Sequence, residues 1–347
     1  MRYLSLFSGI EAASVACNGM GWEAMAFAEI DPFPSAVLAK RFPGVPNLRD
    51  VTKVNWRSFV KNCGRPDLVV GGSPCQSFSI AGTRTGLEGA SGLMWEYVRA
   101  VREVRPEWVL WENVPGALSS SNGEDFRCLL EAMDALGYGL AWRVLDAQFF
   151  GLAQRRERVF LVGRLGSRPP VEVLFEPKSV LWDSKPSREK RKELAAKAGR
   201  DSACASFKHS EGSGAKGIGH DVEVCNTITA DWHAPAVYQI NEPVVCMTDT
   251  QANTSYGGEV CGTLTSHAMK DAPVLACGDG RQNEWAVRRL TPRECERLQG
   301  FPDDWTLIPW KGRPAEECPD GPRYKAIGNS MAVPVMRWIF ERMDACA

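Results

Sequence analysis

Short apolar runs alternate with longer amphipathic stretches through the first half of the chain. The runs at residues 3–7, 23–29, 67–71, 108–112 and 158–163 have strand length and composition. Between them, residues 10–20 predict a helix, residues 93–104 a second closed by Pro106, and residues 126–136 a third closed by Gly137. Strands and helices in alternation argue for an α/β domain with a parallel sheet covered by helices on both faces.

From about residue 169 the pattern changes. Residues 185–197 (KPSREKRKELAAK) are strongly charged and mostly basic, and the chain then becomes rich in Gly, Ser and Thr. There, CNTITADWHAPAV (225–237) resembles CGTLTSHAMKDAPV (261–274), a short Thr-rich repeat with the look of paired β-hairpins. The helical pattern returns at Thr291, which is followed by Pro292 at the first helical position and by Glu294 at the capping-box position; Gly300 stops this helix. A last helix, with an apolar stripe through Val333, Met336, Ile339 and Phe340, is expected to be capped by Asn329 or Ser330.

Composition narrows the class. With 347 residues, 44% hydrophobic and 24% charged, the chain is long enough for one large domain and a smaller one. A formal net charge of −1 means that any surface for nucleic acid is a local patch. The twelve cysteines stand singly with no Cys-x-x-Cys, which suits small buried side chains in a reducing compartment. Cys225, His233, Cys261 and His267 match no standard zinc spacing, so no metal is expected. The N-terminal MRYLSLFSGIEAASVA imitates a secretory leader, but Gly9 and Glu11 interrupt it, and no apolar run reaches membrane-spanning length. The expectation is a cytoplasmic enzyme, monomeric, with no membrane partner.

Two loops carry candidate chemistry. Phe7-Ser8-Gly9 follows the first strand where doubly wound sheets bind nucleotide-like ligands, yet FSGIEA is no dinucleotide fingerprint, and Glu11 would repel a diphosphate. Twenty residues past Gly9, Glu29-Ile30-Asp31 offers a carboxylate at the position of a ribose contact, and Asp50-Val51 stands where an adenine could be bracketed. An ordinary βα unit with incidental acids reads the same way. The second loop is Ser73-Pro74-Cys75-Gln76-Ser77-Phe78-Ser79, after DLVVGG, where small polar flanks present a thiol that is otherwise a buried structural cysteine. The strand EWVLWEN brings Glu112 and Asn113 to the same edge, and an acid there is an N-cap or a catalytic group.

PCQSFS, ENV, QRRERVFLVG (154–163), RRLTPRECERLQGFPDDW (288–305) and GNSMAVP (328–334), with the N-terminal FSGI, resemble in content and order the motifs of cytosine-5 DNA methyltransferases of the bacterial and phage type. The resemblance covers about residues 1–165 and 286–347. It implies a Rossmann-like, S-adenosylmethionine-dependent methyltransferase domain at residues 1–168, completed by residues 323–347, and an irregular β-rich target-recognition domain at residues 169–322. It assigns the nucleophile to Cys75, the contact to cytosine N3 to Glu112, and the grip on the base to Arg156 and Arg158. Phe7, Gly9, Ile10, Glu29, Ile30, Asp50, Val51, Pro74, Leu93, Asn329 and Ser330 are assigned to the cofactor pocket, with Glu11 departing from the family's usual glycine. The implied substrate is duplex DNA with a flipped cytosine, in a setting where a cognate restriction enzyme is a potential partner. Methylation of an RNA cytosine, and an inactive DNA-binding relative, are the alternatives.

Overall fold

The computed structural model of the chain describes residues 1–74, 92–175 and 290–346, together with the backbone of residues 203–207, 220–222, 236–240 and 287–289. Strands β1 (Arg2–Leu6), β2 (Glu23–Ala28), β3 (Leu68–Gly71), β4 (Trp108–Asn113), β5 (Tyr138–Asp146) and β6 (Glu157–Leu165) form one sheet in the order β2-β1-β3-β4-β6-β5. The pairs β1/β2, β1/β3 and β3/β4 are parallel. The expected all-parallel sheet is corrected at β6, which runs antiparallel to both β4 and β5. Residues 147–156 link β5 to β6, and a parallel crossover needs a dozen or more residues, so the chain reverses instead.

Helices cover both faces: α1 (Ala12–Ala16), α2 (Pro32–Arg41), α3 (Trp56–Cys63), α4 (Gly92–Val104), α5 (Glu124–Ala135) and the short α6 (Val171–Leu174), then α7 (Pro292–Gln299), α8 (Asp320–Asn329) and α9 (Val333–Asp344). Successive strand residues point to opposite faces and feed two separate cores. Leu68, Val70, Trp108 and Leu110 pack with α1, α2, α7 and α9, whereas Val69, Val109 and Trp111 pack with α3, α4 and α5. Burial of each such side chain contributes about 1.5–3 kcal/mol, which is why β3 and β4 read as almost unbroken apolar runs.

Local signals near α7 act as expected. Thr291 accepts from the Glu294 amide while Glu294 reaches back to the Thr291 amide, and Gly300 ends the helix at φ 82°. A Cβ at Gly300 would stand 2.5 Å from Pro334 Cδ, so this glycine also lets the first turn of α9 close in. The last helix differs from its expected start: Ala332 is its N-cap, with no side-chain bond, because Asn329 is spent as the last residue of α8. The helix expected at residues 10–20 shortens to α1, since residues 17–21 turn through two positive-φ glycines. Strand β5 and helices α2, α3 and α8 had no counterpart among the expected elements.

Leu290, Cys295, Leu298, Phe301, Ile308 and Cys318 share a core with β3, β4 and α9. Residues 290–322, grouped by sequence with the recognition segment, therefore pack with the large sheet. So do Val173 and Leu174, just past the expected boundary at residue 168; their apolar side chains fill the space beside β5 and α9. In between, β7 (Ala203–Phe207), β8 (His220–Val222), β9 (Ala236–Ile240) and β10 (Val287–Arg289) form an antiparallel sheet in the order β10-β9-β7-β8. The basic stretch 185–197 and the repeat, apart from residues 236–237, lie outside the described residues. No helix among the described residues is long and apolar enough to cross a membrane.

Candidate active site

The carboxyl ends of β1, β3 and β4 open onto a cleft lined by residues 5–9, 11–13, 70–72 and 329–331 together with Glu112. The turn after β1 is strained: Phe7, Gly9 and Glu11 take φ of 52°, 56° and 68°, and a non-glycine residue held there costs on the order of 1–3 kcal/mol. Side chains around it hold the turn in place. Glu29 Oε2 accepts the Gly9 amide at 2.8 Å and Oε1 accepts the Asp31 amide at 2.7 Å, so this carboxylate clamps the β1 turn to the end of β2. Beyond it Ile30 is 61% exposed, an apolar plate at the sheet edge.

Glu11 is the surprise of the turn. It is 1% exposed and N-caps α1, accepting from the Ser14 amide at 3.2 Å and Ser14 Oγ at 3.1 Å on one oxygen, and from Ser5 Oγ at 2.8 Å on the other. Burial pushes its carboxyl up to about 7, with these donors opposing the shift and the Glu29 carboxylate adding to it. Nothing in the sequence distinguished this from a departure; the one available signal was an acid in a turn with no cation beside it.

The opposite wall is built on β4. Trp111 Nε1 donates to Ser73 Oγ at 3.1 Å, and Asn113 Nδ2 donates to the Ser73 carbonyl at 3.0 Å, tying the segment that leads into Cys75 to the end of β4. Cys75 itself lies outside the described residues. Glu112 is buried with Oε1 3.2 Å from Arg158 Nε, and its carboxyl is raised, chiefly by burial, with Arg158 and then Arg156 opposing. Gly72 makes room for it: a Cβ there would lie 2.8 Å from Glu112 Oε2 and 3.1 Å from the Glu112 carbonyl. Sequence patterning did not single out Gly72, although the doubled glycine of DLVVGG was the available sign.

The two arginines separate. Arg158 meets Glu112, whereas Arg156 is 2% exposed and its Nη2 donates to the carbonyls of Gly328 at 3.0 Å and Ser330 at 2.6 Å. Burial lowers the Arg156 guanidinium, with the Arg158 charge adding and Glu112 opposing. Gln299 Nε2 donates to the Ile327 carbonyl at 3.0 Å, so α7 and Arg156 together fix the 328–330 segment along the cleft. Among the expected cofactor residues, Phe7, Gly9, Asn329 and Ser330 line the cleft. The side chains of Ile10 and Val51 are instead buried, one in each core. Asp50 caps a 3-10 turn by accepting from Thr52, Leu93 packs on the second core, and Pro74 is exposed.

A doubly wound sheet with a cleft at its carboxyl edge, walled by a buried acid that meets a half-buried arginine, defines a Rossmann-like α/β protein. The family is specific: a model described as C-5 cytosine-specific DNA methylase matches residues 1–345, and the chain belongs to that family. The type II methyltransferase M2.BsuMI of Bacillus subtilis (strain 168) is 31% identical over 354 residues, covering 99% of this chain and 75% of that protein. An Escherichia phage P1 protein named DNA N-6-adenine-methyltransferase is 34% identical over 460 residues, covering 98% of this chain but only 61% of that protein. The fold matches S. pombe Dnmt2 methyltransferase at a TM-score of 0.63 with 18% identity, covering 100% of this chain and 99% of that one. It also matches a putative DNA modification methyltransferase from an E. coli prophage at 0.59 with 19% identity, covering 99% of each.

Proposed function

We propose that the chain methylates C5 of cytosine within a specific sequence of duplex DNA, using S-adenosylmethionine and a covalent bond from Cys75 to C6. The observation that carries this reading is the juxtaposition at β4: Asn113 and Trp111 pin Ser73, two residues before Cys75, to the strand end that presents Glu112 beside Arg158.

The cleft suits the cofactor. Among the described residues its lining contains no lysine or arginine to cradle phosphate and includes Glu11 and Glu112, which favours a cation over a diphosphate. Phe7, Gly9, Asn329 and Ser330 would hold S-adenosylmethionine, with Glu29 and Ile30 at the adenosine side. When bound, it supplies an electrophilic methyl group carried on positively charged sulfur.

Cytosine C5 is a weak nucleophile, so Cys75 adds to C6 as the thiolate while N3 takes a proton, moving electron density to C5. Glu112 provides that proton. Burial raises the carboxyl above its ordinary range and so favours the protonated acid, while Arg158 orients it. After C5 has gained the methyl group, it gives its proton to solvent water as elimination expels the Cys75 thiolate, and the N3 proton returns to Glu112. Flipping the cytosine costs a few kcal/mol, offset by contacts in the pocket and along the backbone. Residues between α6 and α7 are the recognition region in this reading, and the protein works as a cytoplasmic monomer, with a cognate nuclease as a potential companion.

A second reading comes from the name of the phage P1 relative. An exocyclic adenine amine attacks a methyl donor directly and needs no enzyme nucleophile, so the Cys75 and Glu112 arrangement favours cytosine. Incubation with a duplex containing 5-fluorocytosine and S-adenosylmethionine should leave a stable conjugate on the Cys75 peptide, and mapping of methylated random DNA should show 5-methylcytosine. Absence of the conjugate with N6-methyladenine in the DNA would replace this reading by the second.

A further inference from the structure

We infer that Glu11 is the protein's counter-charge for a cationic group in the methionine portion of the methyl donor, and so makes cofactor affinity depend on pH and on cofactor charge. The inference rests on the proposed use of the cleft for S-adenosylmethionine.

Glu11 lines the cleft while almost wholly buried. Behind it runs a chain of neutral donors: Cys17 Sγ donates to Tyr3 Oη at 3.7 Å, Tyr3 Oη and Ser14 Oγ are 2.5 Å apart, and Ser14 Oγ donates to Glu11 Oε1 at 3.1 Å. Ser5 Oγ serves the other oxygen at 2.8 Å. Burial holds the Tyr3 hydroxyl and Cys17 thiol in their protonated forms, so they stay donors. Donors relayed toward one carboxyl stabilise it as an anion, yet none of them carries positive charge.

The surrounding elements supply no counter-ion to Glu11 among the described residues. The end of β2 brings the acids Glu29 and Asp31, with Asp31 already paired to Lys325 of α8 at 2.8 Å. Glu112 on β4 takes Arg158, while Arg156 is turned to carbonyls. Arg337 of α9 binds Glu341 and the carbonyls of Ala16 and Asn18, and Trp305 donates to the Ile10 carbonyl. An empty cleft favours the protonated acid, and a positive charge entering it draws the proton off and is met by a carboxylate whose donors are already in place.

S-adenosylmethionine carries two candidate cations, its sulfonium and its α-ammonium, and S-adenosylhomocysteine keeps only the second. Titration calorimetry of the full chain with each compound from pH 6 to 8.5 tests the inference. Wild-type affinity for S-adenosylmethionine should rise with pH through about 7, where the Glu11 carboxyl sits, then level off for a sulfonium partner or fall again above about 8 as an ammonium partner loses its proton. Glu11→Gln should lose that rise and bind S-adenosylmethionine about tenfold or more weakly at pH 8. A loss confined to S-adenosylmethionine assigns the partner to the sulfonium, and an equal loss for both compounds assigns it to the ammonium. Glu11→Gly, which suits φ 68°, checks the charge without the strain. A flat wild-type profile, or variants that bind both compounds with wild-type affinity, would overturn the role of Glu11 alone. Failure of the wild type to bind either compound would instead overturn the reading of the cleft.

Discussion

Glu11 and Glu112 line one cleft, both buried and both raised by burial, yet the protein treats them in opposite ways. Glu112 has guanidinium partners on the antiparallel strand beside it, and these temper its rise. Glu11 has hydroxyls, an amide and a neighbouring carboxylate, and it reaches about 7. Burial thus raises both carboxyls, opposed at Glu112 by guanidinium charge and at Glu11 by neutral donors alone. The first arrangement suits giving and taking a proton at a base, and the second suits waiting for a charge from outside.

The sharpest break in that comparison is Glu112→Gln. It removes the transferable proton while keeping size and the Arg158 contact, and single-turnover methylation should slow by about a thousandfold. Wild-type affinity for S-adenosylmethionine at pH 8 should survive.

The arginines should divide next. Arg156→Ala leaves the Gly328 and Ser330 carbonyls without their buried donor and should cost about 3 kcal/mol of unfolding free energy in a urea titration. Arg158→Ala leaves the buried Glu112 carboxyl without its partner, should raise that carboxyl further, and should act mainly on the methylation rate.

Stability against pH reads Glu11 directly. Its folded carboxyl sits at about 7 against an ordinary 4.5, so the protonated form is the one folding favours. That contribution is complete below 4.5, fades as the unfolded chain ionises, and is gone above about 7. The loss amounts to about 3 kcal/mol, and Glu11→Gln should flatten that part of the urea-denaturation profile. The smallest effect belongs to a position outside both walls: Thr291→Ala removes the α7 cap and should cost about 1 kcal/mol while leaving methylation by the folded enzyme unchanged.

Legibility followed the range of the interaction. The run WVLWEN announced β4 and its terminal acid, and Thr291, Glu294 and Gly300 announced both ends of α7, because strand burial and helix capping act within a few residues. Ile10 and Val51 were assigned to the ligand by resemblance, and the packing of their side chains in the two cores was not legible in the motif. Arg156 and Arg158 looked alike in QRRERV, yet only their surroundings separated the brace on the Gly328 and Ser330 carbonyls from the partner of Glu112.

What the amino-acid order determined alone was the set of reactive groups and the elements that carry them: a thiol after β3, an acid ending β4, arginines opening β6 and a glycine turn after β1. The tertiary structure decided their protonation and their company. Reversal of β6 brings Arg158 to Glu112, and closure of α1 over Ser5 and Ser14 removes water from Glu11. Charge interactions depend on distance and on the surrounding dielectric, and both are set only when segments remote in the chain pack together.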